Sequence, residues 1–220
     1  MRRKKVCFVG YGSTEYSRKS EASVLWYYAE AIRDALRQTG LHKKEIRGLS
    51  ITTQVSPDYS PHVAEQLGLE VDWVLNGDYG GGGGVMSVRR AADAIECGHI
   101  DVAVLVGGNS FDRSNPIQRQ LEYQRGNFVD VYGYGGPNSL MALIQRLHME
   151  QYGTTLEQIG KIAMAQRENA LNNPQALFRE PMSMQDYLNS RMISDPIRLF
   201  DCVMPCSGAE CVVLASEERA

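Results

Sequence analysis

The sequence predicts an α/β layered fold, and three observations support this prediction. Strand-like and helix-like segments alternate along the first 108 residues, which is typical of layered α/β proteins. Residues 101–107 are almost purely aliphatic, as expected of a parallel strand covered on both faces. The chain has 220 residues, of which 43% are hydrophobic and 22% charged, so it can bury a sizeable core.

The first predicted unit is a strand followed by a helix. Residues 5–16 form a short β-branched run that enters a glycine-containing loop. Over residues 21–38, apolar side chains such as Leu25 and Ile32 recur on one face of a helical period. Gly40 stands where a left-handed residue would end that helix.

The next predicted elements follow in alternation. They are a strand over 46–53, a helix over 60–67, a strand over 71–75, a helix over 85–97 and a strand over 101–107. Five consecutive glycines, 80–84, lie between the strand at 71–75 and the helix at 85–97. This position at a strand-to-helix turn makes the glycine run a candidate site.

The pattern changes after residue 108. Two helical segments, 139–152 and 156–172, are predicted with hardly any strand, and strand character returns only at 210–215. We therefore expect one domain over 1–220, with its core layers formed by 1–108 and 196–220. Residues 109–195 would form a helical excursion over the sheet.

Charge and composition exclude several classes of protein. Lys and Arg number 23 and Asp and Glu 26, so the net charge of -3 gives no reason to expect nucleic-acid or anionic-membrane binding. No apolar run is long enough for a membrane span, and the run after the basic N-terminus is too short for a signal peptide. The five scattered cysteines suggest reduced thiols and no metal site. A cytoplasmic protein is expected.

The glycine run admits two interpretations. Its backbone can approach a ligand closely, and the following helix offers free N–H groups and its positive dipole end to an anion or oxyanion. Alternatively, the glycines let the helix pack tightly against a neighbour. The run lacks the Lys-Ser/Thr of a phosphate loop and follows the third strand, so nucleotide binding is disfavoured.

Several segments together resemble the thiolase superfamily. Residues 94–108 read Ala-Ile-Glu-Cys-Gly-His-Ile-Asp-Val-Ala-Val-Leu-Val-Gly-Gly, similar to the stretch that follows a thiolase nucleophile elbow. Residues 9–18 and 199–220 resemble the sterol-carrier-protein-X branch, often called lipid-transfer proteins. The resemblance implies a thiolase-like fold, a mixed sheet covered by helices, and only the N-terminal half of it, with the C-terminal half absent.

The resemblance also implies chemistry on coenzyme A thioesters. Thiolases form or cleave a C–C bond beside the thioester carbonyl, an acyltransferase activity of lipid metabolism. The position of the family's acyl-accepting cysteine falls on Gly81, which has no side chain and cannot form an acyl-enzyme. We therefore expect cleavage without a covalent cysteine, such as a retro-aldol reaction. The thioester is the substrate, and no bound cofactor is expected.

A retro-aldol site needs a general base and a place for the enolate. Asp78 or Tyr79 could act in acid–base chemistry, although Asp78 could equally cap the turn and Tyr79 could pack. The loop at 132–134 resembles the lining of a thiolase pocket. The candidate substrate-binding residues are Gly80, Gly82, Gly83, Gly84, Gly133 and Tyr134.

A second hypothesis is not enzymatic. The chain could be an acyl-CoA- or lipid-binding scaffold subunit that shapes a site in a heteromeric complex. By resemblance, a homodimer and a small zinc-ribbon/OB-fold partner protein are both expected under either hypothesis. Cys206 is interpreted as a structural cysteine because no histidine lies near it in sequence.

Overall fold

The computed structural model describes residues 4–52, 60–77, 80–110, 132–133 and 136–220. These residues fall into two compact units. The sheet unit comprises Met1–Ser114 and Cys206–Ala220, and the helical unit comprises Asn115–Pro205.

The sheet unit contains a five-stranded sheet and three helices in its described part. In chain order these are β1 (Val6–Ser13), α1 (Val24–Thr39), β2 (Gly48–Thr52), α2 (Ser60–Leu67), β3 (Trp73–Asn76), α3 (Gly83–Glu96) and β4 (Val102–Asn109). The helical unit adds α4 (Pro137–Tyr152), α5 (Leu156–Leu171), α6 (Met184–Asn189), β5 (Met192–Ser194) and β6 (Ile197–Arg198), and β7 (Gly208–Ser216) completes the sheet.

The sheet is mixed, which confirms the expected layered α/β fold. Its strand order is β1-β7-β4-β2-β3. Strands β2, β3 and β4 are parallel, while β7 runs antiparallel to both β4 and β1. The prediction that residues 101–107 lie between parallel strands is therefore correct for the neighbour β2 and wrong for the neighbour β7. An aliphatic run reports burial of both faces but not the direction of the neighbouring strand.

Side chains that alternate along the strands build two separate cores. On one side, Leu49, Val104 and Val213 pack with α1 and α2. On the other, Ala103 and Leu214 pack with α3, and we call this the α3 side of the sheet. Because successive residues of a strand point to opposite faces, β4 contributes to both cores, and this explains its aliphatic sequence.

The helix ends follow local capping chemistry. The Ser23 side chain accepts a hydrogen bond from the Trp26 N–H, so α1 begins later than its apolar pattern suggested. At the other end, Gly40 adopts the left-handed conformation with φ 69°. The helix over 60–67 has the predicted bounds.

The helical unit contains elements that the apolar pattern did not reveal. Helix α6 has six residues, and β5 and β6 form a small antiparallel hairpin. These elements are too short to show a period. A local signal does exist, because the Ser183 side chain and Asp186 form a reciprocal capping box at the start of α6. No helix in the described ranges has the length and apolarity needed to cross a bilayer.

We predict that Gly12→Ala destabilises the sheet unit. A Cβ at this position would lie 2.2 Å from the Ala31 carbonyl oxygen and 2.3 Å from the Ala35 nitrogen, because α1 crosses β1 at backbone contact. Overpacking of this kind costs about 1–3 kcal/mol. Urea denaturation should show this loss of unfolding free energy. In the control Gly81→Ala, the added methyl meets no described atom within 4 Å. Equal stability of the two variants would contradict the prediction.

Candidate functional site

The parallel strands β2, β3 and β4 end at one edge of the sheet, which we call the carboxyl edge. In open α/β sheets, ligands bind outside this edge. Thr52 and Asn76 end β2 and β3 there, and the glycine run follows Asn76 within a few residues. The candidate site is therefore the turn between β3 and α3.

Two glycines at this edge allow backbone segments to touch. A Cβ on Gly77 would lie 2.3 Å from Ser87 Oγ and 2.8 Å from Thr52 Cγ2. A Cβ on Gly83 would lie 2.4 Å from the Gly77 carbonyl oxygen. The first turn of α3 thus packs directly on the chain that leaves β3. At Gly83, the tight-packing interpretation of the glycine run is confirmed.

Packing among the described residues does not explain the glycines at 81 and 84. A Cβ on Gly81 or Gly84 would meet no described atom within 4 Å, and both residues are exposed. Helix α3 begins after Gly82, which provides no side-chain cap. The positive end of α3 is therefore accessible beside exposed backbone, as the ligand-approach interpretation requires.

Buried hydroxyl groups fix the elements around the turn. Ser50 Oγ of β2 donates to Ser87 Oγ of α3 at 2.9 Å, and both side chains are fully buried. At the start of α2, the Ser60 N–H donates to Asn76 Oδ1 at 2.8 Å, and Ser60 Oγ donates to the Leu75 carbonyl at 2.7 Å. These bonds hold α2, β3 and α3 in a fixed arrangement at the carboxyl edge.

The remaining predicted site residues are only partly placed. Asp78, Tyr79 and Tyr134 lie outside the described residues, so their roles stay predictions. Gly80 lies in the turn with φ 58°, a conformation that favours glycine. Gly133 is exposed in the helical unit with φ 74°, and its place in a substrate pocket also stays a prediction.

One carboxylate that sequence reasoning missed lies on the same row of the sheet. Thr52 pairs with Gly107, Gly107 with Glu210, and Glu210 with Ser13, so these positions cross four strands side by side. Paired residues point to the same face. Glu210 therefore projects on the α3 side, two strand spacings or about 10 Å from Thr52.

Hydroxyl groups surround one oxygen of Glu210. Tyr16 Oη donates a hydrogen bond to Glu210 Oε1, and Ser13 Oγ donates to the same oxygen at 3.1 Å. Burial, together with this carboxylate, raises the pKa of Tyr16, and a hydrogen bond to Glu210 raises that of Tyr11. Both phenols are therefore held in their proton-bearing form.

The second oxygen of this carboxylate, Glu210 Oε2, is buried and has no hydrogen-bond partner among the described residues. Such an unsatisfied buried oxygen is unusual in a folded protein. The sequence did carry a signal, since Glu210 is a lone charge within the apolar strand 208–216.

Within the described ranges, the structure shows neither an activated cysteine nor a metal-binding cluster. Burial raises the pKa of the Cys206 thiol, which is the opposite of what an activated nucleophile requires. This supports the structural interpretation of Cys206. No group of three His, Cys, Asp or Glu side chains in the described part of the chain is arranged to hold a metal ion.

The mixed sheet with α3 set against its carboxyl edge is a thiolase-type fold. The structure matches a monomeric SCP2-thiolase-like protein type 1 from Mycobacterium smegmatis with a TM-score of 0.74. The match covers 97% of this chain and 46% of that chain at 17% sequence identity, so it shows the fold alone. No protein-family model matches the chain.

Two further proteins show sequence similarity as well. The Ltp2-ChsH2(DUF35) aldolase matches with a TM-score of 0.86 and 30% identity, over 100% of this chain and 57% of that chain. A 17-hydroxy-3-oxo-4-pregnene-20-carboxyl-CoA lyase from Mycobacterium tuberculosis is 33% identical over 223 residues, 96% of this chain and 58% of the lyase. In sequence, the chain is thus similar to proteins described as a CoA lyase and an aldolase. It spans little more than half the length of these proteins.

We predict that two neighbouring glycines of α3 respond oppositely to alanine. Gly83→Ala should lower the free energy of unfolding by about 1–3 kcal/mol, because the methyl group would collide with the Gly77 carbonyl. Gly84→Ala should leave stability unchanged or raise it by roughly 0.5–1 kcal/mol, because alanine favours the helix. Thermal denaturation of the two variants provides the measurement, and equal losses would show that the backbone contact is not tight.

Proposed function

We propose that this chain acts on acyl-CoA thioesters in a thiolase-type C–C bond cleavage that does not use a covalent cysteine. The main support is the exposed backbone around Gly81 and Gly84 at the accessible positive end of α3. Such a site suits an enolate oxyanion. The names of similar proteins, a carboxyl-CoA lyase and an aldolase, agree with retro-aldol chemistry on a CoA thioester.

The proposed reaction begins with a β-hydroxyacyl-CoA. A general base removes the proton of the β-hydroxyl group, its oxygen forms a carbonyl, and the Cα–Cβ bond breaks. The bonding electrons pass into the thioester enolate, whose oxygen would accept hydrogen bonds from backbone N–H groups of the glycine run. Protonation at Cα then releases the shorter acyl-CoA. Running in reverse, the same steps form the C–C bond.

Three residues are candidates for the proton transfers. Asp78 and Tyr79 precede the glycine run directly in sequence, and either could exchange protons with the substrate. Glu210 is the third, since it stands on the α3 side in the same strand row as Thr52, and one of its oxygens has no partner in the described part of the chain. In this proposal, Gly81 occupies the nucleophile position of the family and leaves room for the substrate without reacting.

An alternative function is that of a non-catalytic acyl-CoA- or lipid-binding scaffold subunit. A specific observation favours it, because the α3 side carries large apolar side chains that nothing described covers. Phe8 is 67% exposed, Tyr11 51% and Val85 76%. A surface of this kind is typical of protein contacts. It would fit a homodimer or a zinc-ribbon/OB-fold partner in the cytoplasm, and the similar aldolase is a complex with ChsH2(DUF35).

Turnover separates the two functions. The full natural protein, alone and with its co-purifying partner, is incubated with a β-hydroxyacyl-CoA, and the products are identified by chromatography and mass spectrometry. Formation of a shorter acyl-CoA and a carbonyl compound in equal amounts is the expected result. Tight binding of the thioester without cleavage would instead favour the scaffold.

Variants of the carboxylate sharpen this test. If Glu210 is the base, Glu210→Gln should reduce kcat by about 10²–10⁴-fold, the usual contribution of a general base. The control Lys161→Ala removes an exposed charge in the helical unit and should leave kcat unchanged. A fully active Glu210→Gln variant would leave Asp78 or Tyr79 as the proton acceptor.

The position of the missing nucleophile gives another prediction. A Cβ on Gly81 would meet no described atom within 4 Å, so Gly81→Cys, in a Cys97→Ser background, should place a thiol at the positive end of α3. Intact-mass measurement after exposure to an acyl-CoA should show one acyl group on this variant and none on the background protein. Acylation of neither would contradict the assignment of Gly81 to the nucleophile position.

A further inference from the structure

An open groove lies on the other side of the sheet unit, away from the carboxyl edge. It runs along α1 from Ala29 to Arg37 and is closed on its far side by Leu67 and Leu69, at and just beyond the end of α2. Its volume is about 530 Å³, within the roughly 300–1,000 Å³ typical of small-molecule sites. The eight-residue separation along α1 corresponds to a length of about 12 Å.

The floor of the groove is aliphatic. Ile32 is 6% exposed and belongs to the main core, while Leu36, Leu41, Leu67 and Leu69 are half-buried against it. Each half-buried leucine leaves apolar surface facing the open volume. Among the described residues no aromatic ring lines the groove, so these residues offer no stacking surface for a nucleotide base or a flat ring system.

Cationic groups line the same volume. Arg33 is paired with Glu30, whereas Arg37 and Lys43 form no ion pair with any described carboxylate. Lys43 Nζ donates to the Leu67 carbonyl oxygen at 3.3 Å, which holds the ammonium group at the end of α2. An ammonium group has three donors, so others remain for a ligand.

From these observations we propose that the groove is a binding site for a free single-chain carboxylate. The hydrocarbon chain lies along α1 over the leucine floor, and the carboxylate meets Arg37 and Lys43. A groove length of about 12 Å suits a chain of roughly ten carbons. Arg37 and Lys43, which have no carboxylate partner among the residues described, can pair with the ligand's carboxylate, whereas a purely apolar ligand has no charge to pair with them. This site is separate from the proposed thioester site, and its test does not depend on that proposal.

Isothermal titration of the purified protein tests both parts of the site, with decanoate and octanoate kept below their critical micelle concentrations and decanol below its aqueous solubility limit. Binding at one site per chain is expected, with affinity rising about fourfold for each added methylene. Decanoate should bind more tightly than decanol, because only the carboxylate can use the cations.

Variants assign the binding to this groove. Arg37→Ala and Lys43→Ala should each weaken decanoate binding by about two- to fivefold and leave decanol binding unchanged. The matched control Lys161→Ala, which removes an exposed charge in the helical unit, should alter neither ligand. Ala29→Glu places a bulky negative group in the groove and should abolish binding of both ligands, with circular dichroism confirming the fold.

Three results would overturn the proposal. They are absence of decanoate binding, equal affinity for decanoate and decanol, and unchanged decanoate binding in the doubly substituted Arg37→Ala/Lys43→Ala protein. In the last two cases, Arg37 and Lys43 would serve only the carbonyl-rich ends of the helices they adjoin. Because both cations are on the surface, their replacement leaves the core intact and the variants remain informative even if Ala29→Glu fails to fold.

Discussion

The close contact between backbone segments at the carboxyl edge determines where the candidate site can form. Gly83 in α3 approaches the Gly77 carbonyl so closely that a single methyl group would separate them. The positive end of the helix is thereby held against the ends of β2 and β3. A side chain at position 77 or 83 would displace α3, together with the glycine run, from the carboxyl edge.

The same contact explains why five consecutive glycines are not equivalent. Gly83 is required by packing, Gly80 by its positive φ, and the residues at 81 and 84 by neither. The exposed backbone at 81 and 84 is left bare beside an uncapped helix end. A helix N-terminus stabilises negative charge, and this matches the oxyanion that develops when a bond beside a thioester carbonyl breaks.

In the described sheet unit, the two candidate sites lie on opposite faces of the sheet. On the α3 side, Glu210 and its hydroxyl neighbour Ser13 lie in one strand row with Thr52 at the carboxyl edge. On the opposite side, α1 and α2 leave an aliphatic groove, and two of its three cations, Arg37 and Lys43, have no carboxylate partner in the described chain. Because the sheet stands between them, a ligand in the groove would not compete directly with a thioester at the carboxyl edge.

The sequence by itself determined the alternation of elements, the strand-to-helix position of the glycine run and the resemblance to thiolases. These features are local, since they depend on periodicity, caps and short motifs, and the Ser60–Leu67 helix shows how accurate such signals can be. Only the tertiary structure decided that β7 enters the sheet antiparallel between β1 and β4, because burial patterns carry no information on strand direction. That placement brings Glu210, more than 150 residues away in sequence, into the row of Thr52. Likewise, only the tertiary structure distinguishes the role of Gly83 from that of Gly84. The two residues are identical in sequence, but an added Cβ would collide with a neighbouring atom at Gly83 and not at Gly84.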